Sequence, residues 1–318
     1  MRRSWIGWIV AALIATGAAA ATAHADGLPV LGIDVGGVGV TTPTDAAQFV
    51  TMRAGANTIV AQVAKSGGRV LRSRLLKGNL TIPAVAYDGS AGGLAADART
   101  LVLIEPRAAF PRADTTLLVL DAQRLAPRLL VKLQGDFSFD AISPHGRWMY
   151  LIQYLSATDP TRYRVRAYDT RAGRLVAQPV LDPRSRGEKM RGQPLSRALS
   201  PDGRWAYTLY DGAGSTPFIH ALDTKTRAAR CIDLDALAGR NDLWLLRLRA
   251  DGSTVAVRGR HGSILTVDRR TFDVRTAAPF RWSVPLTALA LSLAALLAAA
   301  ATTLLLRRRR GRVALAHS

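Results

Sequence analysis

The stretch SPDGRWAYTLYDG, Ser200 to Gly212, decides how this chain is read. Its opening is turn chemistry: proline presets φ, aspartate bonds its own backbone, and glycine accepts positive φ. The run from Trp205 to Tyr210 is rich in aromatic and aliphatic residues, as strands are. The same phrase stands earlier as SPHGRWMYLIQYL, Ser143 to Leu155. Weaker copies are Ala95–Arg99 and Arg249–Ser253, so the third positions of the four turns lie 48, 57 and 49 residues apart. A second marker stands downstream of each turn: LDAQR at Asp121, YDTRAGR at Asp169, LDTKT at Asp223 and VDRRT at Asp268. Two markers in step over four units identify an internal repeat.

Between the markers the chain reads as short strands closed by Gly, Pro, Asp or Asn. The third unit predicts Phe137–Ser143, Trp148–Leu155, Arg164–Tyr168 and Arg174–Leu181; the fourth predicts Leu195–Ser200, Trp205–Tyr210, Phe218–Leu222 and Arg230–Leu234. An earlier, degenerate unit has strands at Phe49–Met52, Thr58–Val63 and Arg69–Leu76, with Gly36–Thr42 as a fourth. One four-stranded unit cannot bury both of its faces, so such copies pack radially. The expected fold is therefore all-β, a β-propeller of about five four-stranded repeats, with no helix of consequence outside the two ends.

On the SPDGRWAY and LDTKT phrases, and their weaker copies from Gln48 to Thr276, the chain resembles the YVTN-type β-propeller repeat proteins of bacterial cell surfaces. The resemblance implies architecture. It implies little about function, because such propellers include lactone hydrolases, binding scaffolds and sensors.

The ends supply a cellular address. Residues 1–25 combine two arginines, an apolar run and the pattern Ala23-His24-Ala25, a secretory signal peptide cut before Asp26. Residues 26–47 form an N-terminal segment that can complete the first blade, 48–276 the propeller ectodomain, and 277–283 a short linker. Val284 to Leu306 carries no charge and, at 1.5 Å per residue, spans ~34 Å, enough for a transmembrane helix. The tail 307–318 begins with an arginine cluster, which places it in the cytoplasm and the ectodomain outside. The expected localisation is the cell membrane, single-pass, with the N-terminus outside.

The formal net charge is +20, and without the arginines of the two ends 36 basic residues stand against 23 acidic ones. Secretion argues against a nucleic-acid partner and for a protein or anionic cell-envelope partner. The single cysteine, Cys231, forms no internal disulfide and reads as a small buried apolar residue.

In a four-stranded antiparallel blade the first and third turns share one face, and the second loop and the link onward share the other. The short stereotyped turns belong to the first set, with Arg99, Arg124, Arg147, Arg204, Arg227 and Arg269 in or beside them. The long connections belong to the second set: 105–114, 156–162, 182–194, 211–217 and 236–243. Long loops on a rigid scaffold tend to carry binding residues. The candidates there are Glu105, Arg112, Asp159, Arg162, Arg184, Arg186, Glu188, Lys189, Arg191, Asp211 and Asp242, with 182–194 the richest loop.

Catalytic and metal motifs do not emerge. His145, His220 and His261 show no metal-ligand spacing, and GIDVGGVGV (Gly32–Val40) has no helix after it for a dinucleotide. No catalytic residue, metal or cofactor is expected. The leading reading is a membrane-anchored extracytoplasmic binding or scaffold module. The alternative is a lactonase-like hydrolase with acidic residues in the channel, Asp136 and Asp140 among the possibilities.

Overall fold

The computed structural model describes residues 39–184 and 190–277. The expected signal peptide, span 284–306 and basic tail lie outside the described residues, within which no helix is long and apolar enough to cross a membrane.

Five antiparallel sheets succeed one another along the chain. Blade 1 holds β1 (Val40–Thr41), β2 (Ala47–Ala54), β3 (Asn57–Ala64) and β4 (Val70–Lys77). Blade 2 holds β5 (Thr100–Ile104), β6 (Asp114–Asp121) and β7 (Ala126–Gln134). Blade 3 holds β8 (Phe137–Ile142), β9 (Trp148–Tyr154), β10 (Tyr163–Asp169) and β11 (Arg174–Leu175). Blade 4 holds β12 (Pro194–Leu199), β13 (Trp205–Tyr210), β14 (Phe218–Asp223) and β15 (Ala228–Asp233). Blade 5 holds β16 (Arg247–Asp251), β17 (Thr254–Gly259), β18 (Gly262–Asp268) and β19 (Val274–Thr276). Each sheet runs in sequence order, so the chain meanders outward through a blade and then starts the next.

The repeated phrase proves to be a set of connections. Ser143 and Ser200 Oγ accept the N–H of Trp148 and Trp205 at 2.9 and 2.8 Å, closing the first turn of blades 3 and 4. The arginine before each tryptophan reaches the aspartate of the second marker in the same blade, Arg204 to Asp223 at 2.6 Å and Arg147 to Asp169 at 3.4 Å. The two turns are also joined by backbone: Ala122 N–H donates to Arg99 O, Thr170 to Arg147 O, Thr224 to Arg204 O and Arg269 to Ser253 O, all within 2.8–3.0 Å. Both kinds of turn therefore share one face. The tyrosine two residues after the tryptophan is fully buried and links blades: Tyr150 donates to the Thr224 carbonyl of blade 4. Arginines stack on the tryptophans too, with Arg147 and Arg227 at 4.7 and 4.4 Å from the Trp148 ring.

Blade 2 departs from four strands. Its inner edge is made by two short pieces: Thr81 exchanges backbone hydrogen bonds with Ile104, and Gly93 O accepts from Val102 N–H. The chain between them leaves the sheet, where Pro83 offers no N–H for a continuous ladder. This excursion reaches blade 4, where Tyr87 and Asp88 N–H bond Pro194 O and Leu195 O, and Ser196 donates to Asp88 at 2.6 Å.

Four apolar clusters fill the spaces between blades 1 and 2, 2 and 3, 3 and 4, and 4 and 5. Central strands of blades 2 to 4 are buried on both faces, as in β5 and β14, whereas β17 and β18 bury alternate residues only. Blade 1 likewise turns Phe49, Val60 and Leu76 inward and leaves Met52 and Leu75 52% and 61% exposed. Among the described residues no apolar cluster joins blade 5 to blade 1.

Candidate functional site

Inner strands β8 and β12 place charged side chains on the axis. β8 pairs with β9 in register at Phe139–Leu151 and again at Ala141–Tyr150, so Asp140 is an extra residue with no opposite partner. Such a bulge re-aims its side chain. β12 carries an irregularity of the same kind between Pro194 and Ser196. Across the gap, Arg197 Nη2 donates to Asp140 Oδ1, and the two side chains are only 5% and 3% exposed. Asp140 Oδ2 and Arg197 Nε have no hydrogen-bond partner among the described residues.

This pair lies at a cavity of about 210 Å³. Its walls are mostly apolar, with Val40, Val85, Leu94, Phe139, Ile142 and Leu199 among them, and Ala96, Ser200, Pro201 and Gly203 bring it to the short-turn face. On the other side of Asp140 a small void meets Tyr154, Tyr163 and Tyr210. Those rings continue into one another, Tyr163 stacked on Tyr210 at 5.9 Å and Tyr210 on Phe218 at 5.1 Å. Burial, with the nearby Asp140 charge, pushes the Tyr210 hydroxyl well above its ordinary value. His220 is buried beside this group, its Nε2 without a partner among the described residues, and burial lowers it to about 4, so it is neutral at pH 7.

Asp136, the other carboxylate singled out in the sequence, is ion-paired as well. Arg107 Nη2 donates to it at 2.6 Å and to Ser138 Oγ at 2.8 Å, and Arg112 N–H adds a further bond at 3.0 Å. Asp136 is thus held by Arg107 and Arg112, and Asp140 by Arg197. Among the described residues no cluster of His, Cys, Asp and Glu is arranged to hold a metal ion.

The long-loop candidates go mainly to holding their own loops. Arg112 is largely buried, 11% exposed, and donates to Glu105 O and Phe137 O. Asp211 accepts from Gln193 and Ala213 N–H, and Asp242 pairs with Arg240 at 2.7 Å. Arg184 pairs with Asp182 at 2.6 Å and donates to Cys231 O. Burial alone would raise the Asp182 carboxyl, but the Arg184 side chain and the Arg184 and Cys231 N–H groups outweigh it and hold it below the usual range. Asp159 accepts from Thr161, and Arg191 approaches it at 4.0 Å, which brings two long loops together. Arg162 closes the 156–162 loop through its N–H to Asp159 O. Arg186, Glu188 and Lys189 lie outside the described residues. Sequence reasoning passed over Arg197, though an arginine inside the inner strand just before SPDG was the available signal.

No protein-family model matches the chain, so the YVTN-type likeness rests on the repeated phrases alone, and no curated protein matches it. Solved structures do resemble it in shape. TolB from Acinetobacter baumannii matches 76% of this chain and 56% of its own, with 12% identity and a TM-score of 0.40. A functionally unknown protein from Desulfotomaculum acetoxidans matches over 75% and 68%, with 14% identity and a TM-score of 0.46. AztD from Citrobacter koseri matches over 72% and 58%, with 12% identity and a TM-score of 0.37. The chain thus spans little more than half the length of the TolB and AztD structures. What its own strands define is an all-β, propeller-like protein of five successive blades with a charged pair on its axis.

Proposed function

We propose that this chain is an extracytoplasmic binding module, held at the membrane through residues 284–306, whose recognition site is the mouth of the channel. The observation that carries the reading is the cavity over Asp140 and Arg197, a buried ion pair among mostly apolar walls. A hydrolase would need a carboxylate free to move a proton. The arginine partners of Asp136 and Asp140 weigh against that alternative.

A protein or envelope partner on the long-loop face is the second reading. It is favoured by the Arg191–Asp159 approach, which presents two half-exposed charged loops side by side. Two experiments separate the possibilities. Cysteine labelling of intact cells should reach Asp251→Cys from outside and Ser318→Cys only after permeabilisation; the reverse pattern would remove the extracytoplasmic placement. Crosslinking in native membranes should then retain its partner in a chain whose 182–194 loop is replaced by Gly/Ser and lose it in Leu199→Trp. Loss with the loop instead would move recognition to the other face, and lactone turnover abolished by Asp140→Asn would restore the hydrolase.

A further inference from the structure

A second recess lies on the short-turn face between blades 2 and 3. It is a cleft of about 400 Å³ whose walls include Arg128 and Leu129 from blade 2 and His145, Arg147 and Arg171 from blade 3. Its frame is fixed by hydrogen bonds and close packing. Thr170 Oγ1 donates to Gly146 O and Arg147 O, and Asp97 N–H donates to Pro144 O across the two blades. A Cβ on Gly146 would strike Thr100 Oγ1, so the blade 3 turn sits directly against the start of β5.

The cleft shows guanidinium to solvent and hides carboxylate. The repeated aspartates turn towards their own loops: Asp121 accepts the Gln123 and Arg124 N–H groups, and Asp169 those of Arg171 and Ala172. Their side chains are 8% and 12% exposed, whereas those of their partners Arg128 and Arg147 are 47% and 56% exposed. Cations are also in excess. Asp121 is shared by Arg124 and Arg128, Asp169 takes Arg147 at 3.4 Å, and the exposed Arg171 side chain has no partner among the described residues. Such half-exposed pairs hold their arginines only weakly, so the donors can be shared with a ligand. A carboxylate ligand would bring one charge and two oxygens, which Asp121 and Asp169 already supply. A phosphate ester brings nearly two charges and three strong acceptor oxygens, enough to engage arginines from both blades at once. Val119 and Leu129 offer an apolar wall to the esterified group.

We infer that this cleft, separate from the channel site, binds a phosphate ester through Arg128, Arg147 and Arg171.

The test uses the purified full-length chain at low salt and ligand-observed NMR with phenyl phosphate and benzoate. Phenyl phosphate should bind at least about fivefold more tightly than benzoate. Arg171→Gln should weaken it about tenfold, and Arg270→Gln, an exposed arginine of blade 5 away from the cleft, should leave it unchanged. Neither side chain has a partner among the described residues, so both variants should melt at the wild-type temperature. Benzoate binding as tightly as phenyl phosphate overturns the ligand class. Equal weakening by Arg171→Gln and Arg270→Gln shows diffuse attraction to the face and overturns the site, as does no binding at all. Competition then identifies the source of the phosphate. Displacement of phenyl phosphate by glycerol 3-phosphate alone supports a soluble ester, and displacement by dihexanoyl-phosphatidylglycerol supports a lipid headgroup. Displacement by neither overturns the inference.

Discussion

Tyr150 in blade 3 donates its hydroxyl to the carbonyl of Thr224 in blade 4 at 2.8 Å, and both residues are fully buried. The bond joins the first marker of one repeat to the second marker of the next. Tyr207 makes the corresponding reach, accepting from Arg269 Nε of blade 5 at 3.4 Å. The repeat thus recurs along the chain as a linkage between neighbours, beyond its role as a turn.

Tyr150→Phe keeps the ring and removes only the donor, leaving a buried carbonyl without it. The expected cost is about 1–2 kcal/mol in urea unfolding monitored by tryptophan fluorescence. Tyr207→Phe, with its longer bond, should cost less than about 1 kcal/mol. Equal and negligible losses would mean that the inter-blade bond contributes nothing net.

Gly203 has φ of +66°, and a Cβ there would sit 2.5 Å from the Cβ of Ala96 in blade 2. Gly173 has nearly the same φ, +67°, with nothing within 4 Å of a Cβ. Gly173→Ala should therefore cost ~1 kcal/mol from backbone strain alone. Gly203→Ala should exceed it by at least ~1 kcal/mol, because a close contact is added. A thermal melt of the two variants side by side checks the difference.

His220 binds its proton less readily folded, at about 4, than unfolded, near 6.5. Between those values the unfolded chain holds more protons, so stability rises with pH and is lost on acidification from 6.5 towards 4. The full span is worth on the order of 3 kcal/mol. Asp169, Asp182 and Asp223, all held below 3.8, lose their contributions only at still lower pH. His220→Gln should flatten the pH 4–6.5 slope of unfolding free energy and leave the steeper fall below it.

Adjacent leucines test the outer face of blade 1. Leu76 is 3% exposed and Leu75 is 61% exposed. Leu76→Lys should cost more than ~3 kcal/mol by burying an unpaired charge, while Leu75→Lys should stay within about 0.5 kcal/mol. A large penalty at Leu75 would show that this face is covered in the folded chain.

Much of the architecture was legible because it is local. Ser200 closes on Trp205 N–H, Gly203 takes the positive φ of its own turn, and Asp223 accepts from the Lys225 and Thr226 N–H groups, so that part of their chemistry is visible as letters. The inner edge of blade 2 was not legible in the same way. Thr81 and Gly93 pair with β5 from two separate pieces, and that choice depends on what the intervening excursion finds in blade 4. What the long-loop candidates hold in place needed the fold for a related reason. Arg112 and Asp211 look solvent-facing in sequence, yet each satisfies buried or turn backbone groups that only the folded loop presents.

The sequence by itself determined the repeat, its turns and its strands, since backbone preferences and alternation are encoded residue by residue. The tertiary structure alone decided the site. Asp140 faces Arg197 because β8 gains one residue against β9, and such a slip in register turns a side chain from one direction to another. No local pattern announces that slip, because it is settled by the packing of two blades against each other.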